Sequence, residues 1–439
     1  MNGEEPDMRR RPRRPRLLAA LACAALAGSC AAKGPVPYEP LRESVPDLQG
    51  RMLAHVGENL LPFWLENCVD RQHGGYLTVL NRDGSMQSGE KMLVTQARLI
   101  WAFSRLWKDG YHDPRIRDAA VQGIEFLRRW FWDPAYEGWF WQVQRDGTPD
   151  DMSKKTYGHA FVIYAGVEYY RAFKDPMGLQ LAELTFDLIE RHAKDPEHPG
   201  YVDFMDRQWA PDAQNNGEVK TMNTHLHLLE ALTELYMVTG KPAHQQRLRE
   251  VLDVLTQKCY LPECGCCIDG FYYDWTPARE GFFGERNNIT SYGHNVEFAW
   301  LMQRAAQALG LPQEPYRSIG LTLVNHAMKY GWDADAGAML YEGPLTGAAT
   351  NRVMEWWVQA ESAVALDWAY RTTGEGRYMD ALRRQVMWVL GKQSDPVYGG
   401  WYSTLAPNGT ILNESKANVW HACYHDVRAC LNVGTGRWE

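Results

Sequence analysis

The chain has 439 residues, of which 45% are hydrophobic and 23% charged, and this composition excludes disordered, collagen-like and coiled-coil proteins. The formal net charge is −8, and six arginines lie in the first 16 residues, so the remaining chain is more acidic still. An acidic surface repels phosphate backbones, so we expect no nucleic-acid partner. Aromatic residues, at 12%, are unusually frequent.

Residues 1–32 are predicted to be a secretory signal. A basic stretch is followed by an apolar run at residues 17–27, which is too short to span a bilayer. Cleavage before Cys30 would give a lipoprotein, and cleavage after Ala32 an unlipidated exported protein; both alternatives stay open. We therefore expect a protein that is periplasmic, or attached to the bacterial envelope by lipidation at Cys30 and in no other way.

A glycine and aromatic signature typical of a short β-hairpin recurs six times along the chain. The signatures start at Asp70, Asp133, Asp195, Leu261, Asp333 and Asp395, at spacings of 63, 62, 66, 72 and 62 residues. Length alone suggests about three domains, but a repeat of this period indicates one repetitive domain.

Pairs of segments with helical periodicity separate the hairpins. They cover residues 97–108 and 116–131, 159–173 and 179–192, 223–238 and 245–258, 294–309 and 316–330, and 356–372 and 378–392. A first helix at about residues 45–68 and a last one at 417–432 bring the total to twelve. Because the two unpaired helices lie at opposite ends of the chain, they can close a ring.

The sequence therefore predicts an all-α fold, an (α/α)6 barrel or six-hairpin toroid, with short β-hairpins linking the helix pairs. This barrel is expected to form one domain over residues 40–439. An open solenoid is the alternative, and it would need polar caps on both terminal repeats. The last helix carries Trp420 and Tyr424 and looks buried, which favours closure.

The first helix of each repeat carries one polar or aromatic marker at a similar position. The markers are Arg98, His159, His225, His294, Trp357 and His421. Equivalent positions on equivalent helices of a ring lie at one height, so we expect the markers to converge at one end of the barrel.

Helical spacing selects among these side chains, because residues three or four apart share a face. Only one of His225 and His227 can therefore enter the lumen. The pairs that share a face are Asn223 with His227, His294 with Glu297, and Trp357 with Glu361. The Glu297 carboxylate is expected to orient or charge the His294 imidazole. Several imidazoles with carboxylate partners favour proton transfer.

A metal site is not predicted. His421 and His425 lie four apart, but no HExxH motif or histidine–carboxylate facial pattern accompanies them. The only cysteine cluster lacks paired CxxC units, which favours a surface turn, while a disulfide within it stays open for an exported protein. Its members are Cys259, Cys264, Cys266 and Cys267.

Five motifs resemble the N-acylglucosamine 2-epimerase family, specifically its cellobiose 2-epimerase branch. They are TQARLIW at residues 95–101, MNTHLHLLE at 222–230, SYGHNVE at 291–297, WWVQAE at 356–361 and YHDVRACL at 424–431. The resemblance implies the (α/α)6 fold and a cofactor-free inversion at C2 of a reducing-end sugar. The ring opens, a base removes the C2 proton, a cis-enediolate forms, and a proton returns to the other face.

The resemblance also implies residue roles. His294 and His425 would be the acid/base pair, with Glu297 supporting His294. Arg98 and His227 would bind the C1 and C2 oxygens of the enediolate, which needs donors placed in advance. The remaining positions would bind substrate: Trp357 and Trp420 would hold two sugar rings, and Asn223, Glu361 and Tyr157 would line the site, with Glu361 able to assist ring opening. The expected partner is a neutral β-1,4 disaccharide, and the protein is expected to be a monomer or weak dimer without cofactor or metal.

Three features depart from the family pattern. His159 stands where the branch often has glutamine, which predicts an altered reducing-end pocket, and His421, Ala422 and Cys423 replace a Lys-Gly-Pro stretch. An exported form is unusual for the family and leaves the physiological substrate open.

Three alternatives stay open at this point. The first is a monosaccharide 2-epimerase or an aldose–ketose isomerase, of the N-acylglucosamine or mannose type. The second is an (α/α)6 glycoside hydrolase, for which Glu297 and Glu361 would supply the two carboxylates. The third is a sugar-binding protein without catalysis.

Overall fold

Twelve long helices of two kinds alternate along the part of the chain that the structure describes, residues 45–438 of a computed structural model. Six are buried around nearly their whole circumference and form an inner ring. These inner helices are Leu93–Lys108, Thr156–Phe173, Met222–Thr239, Tyr292–Ala308, Trp356–Thr373 and Tyr424–Thr435.

The other six helices bury one face only and form an outer layer. The first consists of Val45–His55, the π-helical turn Val56–Leu60 and Leu61–Asn67, and the others are Pro114–Phe126, Pro176–His192, Pro242–Val254, Tyr316–Tyr330 and Gly376–Trp388. Three of them begin at a proline, whose missing N–H costs nothing in the first turn. Three of them end in π-helical turns, at Leu127–Phe131, Leu255–Cys259 and Val389–Gln393.

The ring is closed. Each inner helix packs on the next, and the last, Tyr424–Thr435, packs on the first, Leu93–Lys108. The last inner helix also packs on Val45–His55, so the two ends of the chain supply the sixth helix pair. The (α/α)6 barrel predicted from the repeats is thus confirmed, and the open solenoid is excluded.

All six predicted hairpins are present. Four are closed by single antiparallel bridges and two by short strand pairs: Val69 with Tyr76, Trp132 with Trp139, Lys194 with Tyr201, Ser394 with Trp401, Tyr260–Leu261 with Cys266–Cys267, and Trp332–Asp333 with Ala338–Met339.

A second set of antiparallel strands was not predicted. The strand that precedes an inner helix pairs with a strand of the following repeat. These pairs are Lys91–Met92 with Gln142–Val143, Lys154–Lys155 with Phe204–Met205, Val219–Thr221 with Gly270–Tyr272, Ile289–Ser291 with Glu342–Pro344, and Met354–Glu355 with Thr404–Leu405, which also pairs with Ile411–Asn413. The strand Val79–Leu80 pairs with Met86–Ser88, and Leu80 bridges Ala417 to join the first repeat to the last.

Buried ion pairs join neighbouring repeats at the hairpins. The Asp70 carboxylate lies 3.0 Å from Lys91 Nζ and 2.9 Å from Arg145 Nε of the second repeat. In the same way Arg82 Nε of the first repeat lies 2.8 Å from Asp395 of the sixth. These pairs therefore fix the strand-bearing end of the ring, including the junction between its first and last repeats.

The last helix begins at Tyr424, seven residues later than predicted. The Asn418 side chain accepts hydrogen bonds from the backbone N–H groups of Trp420 and His421, at 2.9 Å each. Such a local side-chain turn competes with helix formation. His421 therefore lies in a loop, and the predicted helical spacing of His421 and His425 is wrong.

The predicted signal segment at residues 1–32, with Cys30, lies outside the described residues. All seven cysteines that the structure describes are free thiols, including the four in the cluster at residues 259–267. Within residues 45–438, none of the helices combines the length and the apolar character needed to cross a membrane.

Candidate active site

The predicted site residues converge at the strand-bearing end of the barrel. Every inner helix begins at this end, and the residues lie in the first two helical turns or, for Trp420, in the loop before the last helix. The helical members are Arg98, Tyr157, Asn223, His227, His294, Glu297, Trp357, Glu361 and His425.

Arg98 is a buried cation held by the loop before the last helix. Its Nη1 donates to the carbonyl oxygen of Trp420 at 2.6 Å, and its Nη2 donates to the hydroxyl of Tyr157 at 3.0 Å. The guanidinium carbon also lies 4.4 Å from the centre of the Phe161 ring. Its Nε has no partner among the described residues. A fixed, buried guanidinium of this kind can stabilise an oxyanion.

His227 lies beside Arg98 and Tyr157. Its Nδ1 is 3.1 Å from Oε2 of Glu230, and its ring meets that of Tyr157 edge-on at 5.0 Å. Burial, followed by the charge of Arg98, lowers the pKa of His227 well below its usual value. The imidazole is therefore neutral, and with the proton on Nδ1 its Nε2 lone pair can accept a hydrogen bond from a sugar hydroxyl.

His425 is paired with Glu361. Its Nδ1 lies 2.7 Å from Oε1 of Glu361, and Trp300 Nε1 donates to the other carboxyl oxygen at 3.0 Å. Burial and the charge of Arg98 lower the pKa of His425, so this imidazole is also neutral. The Glu361 contact fixes the ring and its proton on Nδ1, which leaves Nε2 as the basic atom.

A single guanidinium, that of Arg428, joins three carboxyl groups below the imidazoles. Its Nη2 donates to Glu297 at 2.6 Å and to Glu361 at 2.7 Å, and its Nη1 donates to Glu230. One positive charge cannot balance three negative ones in a buried site. Burial and the neighbouring Glu361 accordingly raise the pKa of Glu297, and burial raises that of Glu361, so the cluster retains a proton at neutral pH.

The predicted contact of Glu297 with His294 is not observed. The Glu297 carboxyl group bonds to Arg428 instead, because a buried carboxylate gains most from a charge-assisted partner. The expectation that Glu297 orients His294 directly is therefore wrong. Glu297 is thus part of the cluster of three carboxyl groups that bond to Arg428.

His294 and His425 both face the ring of Trp357. The centre of the Trp357 ring lies 4.7 Å from that of His294 and 6.0 Å from that of His425. Burial, with a contribution from Arg286, lowers the pKa of His294 to about 4. The lumen thus presents two neutral imidazoles beside one aromatic platform.

Trp420 and Asn223 complete the mouth of the site. The Trp420 ring is 46% exposed and lies 6.0 Å from the Tyr157 ring, so a second aromatic face stands open at the entrance. Asn223 donates its backbone N–H to Asp269, and its side-chain oxygen is buried without a partner among the described residues. A ligand hydroxyl can satisfy that oxygen.

Two of the predicted lumen markers, His159 and His225, do not face the lumen. Their Nε2 atoms accept hydrogen bonds from the backbone N–H groups of Trp139 (3.3 Å) and Tyr201 (3.1 Å), each in the hairpin before the helix. Gln96 accepts in the same way from Tyr76. The expectation that His159 alters the reducing-end pocket is wrong, because this histidine holds a hairpin as glutamine does in the first repeat.

In five inner helices, a residue that bonds to the preceding hairpin is followed, two positions later, by a residue that faces the lumen. The hairpin-holding residues are Gln96, His159, His225, Asn295 and Gln359, and the lumen residues are Arg98, Phe161, His227, Glu297 and Glu361. Two residues correspond to about 200° around a helix, which places the sets on different faces.

His421 is a structural residue as well. Its Nδ1 is 2.8 Å from the Ser403 hydroxyl, and its ring stacks on Trp356 at 4.1 Å. Among the described residues, Glu297, Glu361 and His425 place their ligand atoms within 4.8 Å of one another, a spacing that suits a cation. The guanidinium of Arg428 already bonds to both carboxyl groups.

Sequence reasoning missed three buried residues of the site. Glu230 and Arg428 lie inside the quoted motifs, and Trp300 lies two turns after His294. The spacing of His227 and Glu230 equals that of His294 and Glu297, so the same helical rule identifies Glu230. Nothing in the spacing identifies Arg428, because its partners come from three other helices.

The closed helical barrel holds neutral imidazoles, a buried arginine and aromatic platforms in its lumen, and its relatives identify the class of the protein as a carbohydrate 2-epimerase, an isomerase. Residues 74–429 match the model of one family, described as N-acylglucosamine 2-epimerase (GlcNAc 2-epimerase). The chain belongs to the N-acylglucosamine 2-epimerase family.

Curated relatives extend over nearly the whole barrel. A cellobiose 2-epimerase of Bacteroides fragilis is 29% identical over 402 residues, which are 88% of this chain and 98% of the relative. One from Ruminococcus albus is 31% identical over 395 residues, 86% of this chain and 96% of the relative. A D-mannose isomerase of Marinomonas mediterranea is 26% identical over 87% of this chain and 95% of the relative.

Solved structures agree. The cellobiose 2-epimerase of Spirochaeta thermophila superposes with a TM-score of 0.80 at 31% identity, covering 90% of this chain and 98% of that one. A family 76 glycoside hydrolase from Bacteroides thetaiotaomicron shares the fold only, with a TM-score of 0.64 at 13% identity, covering 89% of this chain and 78% of that one.

Proposed function

We propose that this enzyme acts on β-1,4-linked disaccharides of the cellobiose or mannobiose type and inverts C2 of their reducing-end ring. The observation that carries the proposal is the pair of neutral imidazoles, His294 and His425, that face one platform, Trp357. Inversion needs a proton to leave one face of C2 and return to the other, and two bases in one lumen supply both steps.

The proposal gives each group a role. With the opened sugar on Trp357, one imidazole takes the C2 proton and becomes an imidazolium. The other imidazole, which has taken up a proton from water, gives that proton to the opposite face of C2 and returns to its neutral form. Arg98 donates to the C1 and C2 oxygens, where the negative charge of the enediolate develops, and His227 accepts a hydrogen bond from the C2 hydroxyl through Nε2. Proton uptake by the imidazole becomes easier as that charge forms, because opposite charges favour each other in a buried site.

A second sugar ring is accommodated by Trp420. Its ring is about half exposed beside Tyr157, and sugar rings pack their C–H faces on aromatic rings. Relatives named cellobiose 2-epimerase are 27–31% identical to this chain, whereas the D-mannose isomerase and N-acylglucosamine 2-epimerase relatives are 24–26% identical. Both observations support a disaccharide over the monosaccharides of the D-mannose isomerase and N-acylglucosamine 2-epimerase relatives.

The carboxyl geometry disfavours a glycoside hydrolase. Hydrolysis needs two carboxyl groups on either side of the scissile bond, about 5 Å or more apart. Glu297 and Glu361 instead share one nitrogen of Arg428, and their nearest oxygens lie within 4.8 Å of each other. Both carboxyl groups belong to one ion cluster around Arg428, so a sugar cannot bind between them.

Product analysis tests the substrate class. Purified enzyme is incubated separately with cellobiose, mannobiose, mannose and N-acetylmannosamine, and the products are separated by anion-exchange chromatography. The proposal predicts C2 epimers of the two disaccharides and little conversion of the monosaccharides. Fructose from mannose, without disaccharide epimers, would contradict it.

We also propose that the chain is exported and works in the periplasm, or on the envelope through a lipid on Cys30. The basic and apolar leader supports this proposal. Expression with and without a Cys30→Ser substitution, followed by fractionation and detergent partitioning, separates the two forms. We propose a monomer or weak dimer, which sedimentation velocity measures directly.

A further inference from the structure

A small cavity opens beside His294 at the mouth of the barrel. Its walls include Asp269, Arg286, Ser291 and His294, and its volume is about 20 Å³. That volume holds one water molecule or one hydroxyl group. No residue implied by the family resemblance except His294 borders this cavity.

Arg286 is held in place at the cavity wall by the residue that follows it. The Asn287 side chain accepts from the backbone N–H groups of Asp269 (3.2 Å) and Gly270 (3.0 Å) and donates to the carbonyl oxygens of Gly270 (2.7 Å) and Ala278 (3.0 Å). These bonds tie the short helix Gly281–Arg286 to Asp269 and to the strand Gly270–Tyr272 that follows it. The Arg286 Nη1 also lies 2.9 Å from Glu342 Oε2.

Asp269 provides an acceptor in the wall of the same cavity. One of its carboxyl oxygens accepts the backbone N–H of Asn223 at 3.0 Å, and this bond ties it to the start of the helix that carries His227. A carboxyl group and a guanidinium therefore line one small cavity and complement each other. A ligand hydroxyl group in this cavity can donate to Asp269 and accept from Arg286.

We propose that Asp269 and Arg286 bind the C3 hydroxyl of the reducing-end ring. This inference rests on the proposed function. His294 reaches C2, while Arg98 and His227 take the C1 and C2 oxygens, so the next polar group along the sugar is the hydroxyl on C3. The configuration at C3 is the same in substrate and product. A bond to that hydroxyl therefore holds the opened sugar in one position while C2 inverts.

The test compares two substrates in three variants. The substrates are cellobiose and its analogue that lacks the C3 hydroxyl on the reducing-end ring, and the measured quantity is kcat/KM for C2 proton exchange in deuterated water. The variants are Arg286→Met, Asp269→Asn and, as a matched control on the same segment, the exposed Arg279→Met.

With cellobiose, Arg286→Met and Asp269→Asn are expected to lose about 10- to 100-fold in kcat/KM, the range for a hydrogen bond to a charged group. With the 3-deoxy analogue, both should match wild type within about threefold, since the partner hydroxyl is already absent. Arg279→Met should match wild type on both substrates. Equal losses on the two substrates, or no loss on either, would overturn the inference.

C2 proton exchange by the wild-type enzyme is measured first, so that a failure of the proposed function can be distinguished from a failure of the C3 assignment. Absence of exchange with every β-1,4 disaccharide would reject the proposed function. Exchange in wild type with equal losses on both substrates would reject only the C3 assignment. Thermal unfolding of each variant, together with Arg286→Lys, which keeps the charge and should recover part of the cellobiose activity, separates loss of binding from loss of fold.

Discussion

The imidazole of His425 and the carboxyl group of Glu361 form a buried pair, with Nδ1 2.7 Å from Oε1. Their helices, Trp356–Thr373 and Tyr424–Thr435, are neighbours in the inner ring, so the pair joins the last two repeats. The contact fixes which nitrogen of His425 faces the lumen.

Glu361→Gln is expected to lower kcat by at least about 100-fold with little change in KM, because the amide no longer holds the His425 proton on Nδ1. Steady-state epimerisation of cellobiose measures both constants. Glu355→Gln is the control, since that carboxyl group accepts from Thr404 and not from an imidazole. A rise in KM at constant kcat would contradict the assignment.

His294→Asn and His425→Asn are expected to stop interconversion but to leave exchange with one epimer. When each imidazole serves one face of C2, the remaining base still removes the proton that points toward it. Deuterium incorporation into cellobiose and, separately, into its C2 epimer shows which face each variant serves. The two variants should retain opposite epimers, and loss of exchange with the same epimer in both would indicate a single base.

Trp420→Ala is expected to raise KM for cellobiose about fivefold, which corresponds to a stacking contribution of about 1 kcal/mol. The kcat value should change little, because Trp420 lies at the mouth and not beside C2. Tyr398→Ala removes another exposed aromatic ring, on a hairpin away from the lumen, and should leave both constants unchanged. A fall in kcat alone would place Trp420 at the reaction centre.

The two hairpin-holding histidines make the fold sensitive to acid. Burial lowers the pKa of His159 and of His225 from 6.5 to about 3 each. Below pH 6.5 these two imidazoles bind protons in the unfolded chain but stay neutral in the folded chain. The free energy of unfolding therefore falls as the pH is lowered, until about pH 3. One pKa unit corresponds to about 1.36 kcal/mol, so each histidine lowers the free energy of unfolding by about 2 kcal/mol at pH 5.

His159→Gln should therefore reduce the loss of stability between pH 7 and pH 5 by about 2 kcal/mol. Gln359→His makes the reverse change at the same position of the fifth repeat and should increase that loss. Urea unfolding at the two pH values measures both variants. Equal pH dependence in wild type and His159→Gln would show that the imidazole is protonated in the folded chain.

The fold was predictable because each repeat is marked by local sequence patterns. The hairpin signatures from Asp70 to Asp395 and the helical periods between them depend only on local sequence. The strand pairs between repeats were not predictable, because pairs such as Lys91–Met92 with Gln142–Val143 join residues that are far apart in the chain. The late start of the last helix depends on one side chain, Asn418.

The site was predictable where one helix decides the geometry and unpredictable where several do. Helical spacing correctly allowed only one of His225 and His227 to enter the lumen, and the family resemblance assigned that place to His227. Helical spacing gave Glu297 the wrong partner, because the attraction of Arg428, which comes from another helix, outweighs the proximity of His294. The same rule cannot separate a histidine that holds a hairpin from one that faces a ligand when both occupy regular repeat positions, as His159 shows.

The most direct test of the account is exchange of the C2 proton of cellobiose in deuterated water, followed by NMR. We predict deuterium at C2 of the reducing-end ring and a mixture of the two C2 epimers, with no added metal or cofactor. A C2 proton that stays unexchanged at every pH from about 6 to 9, where imidazole can act as a base, would contradict the central claim.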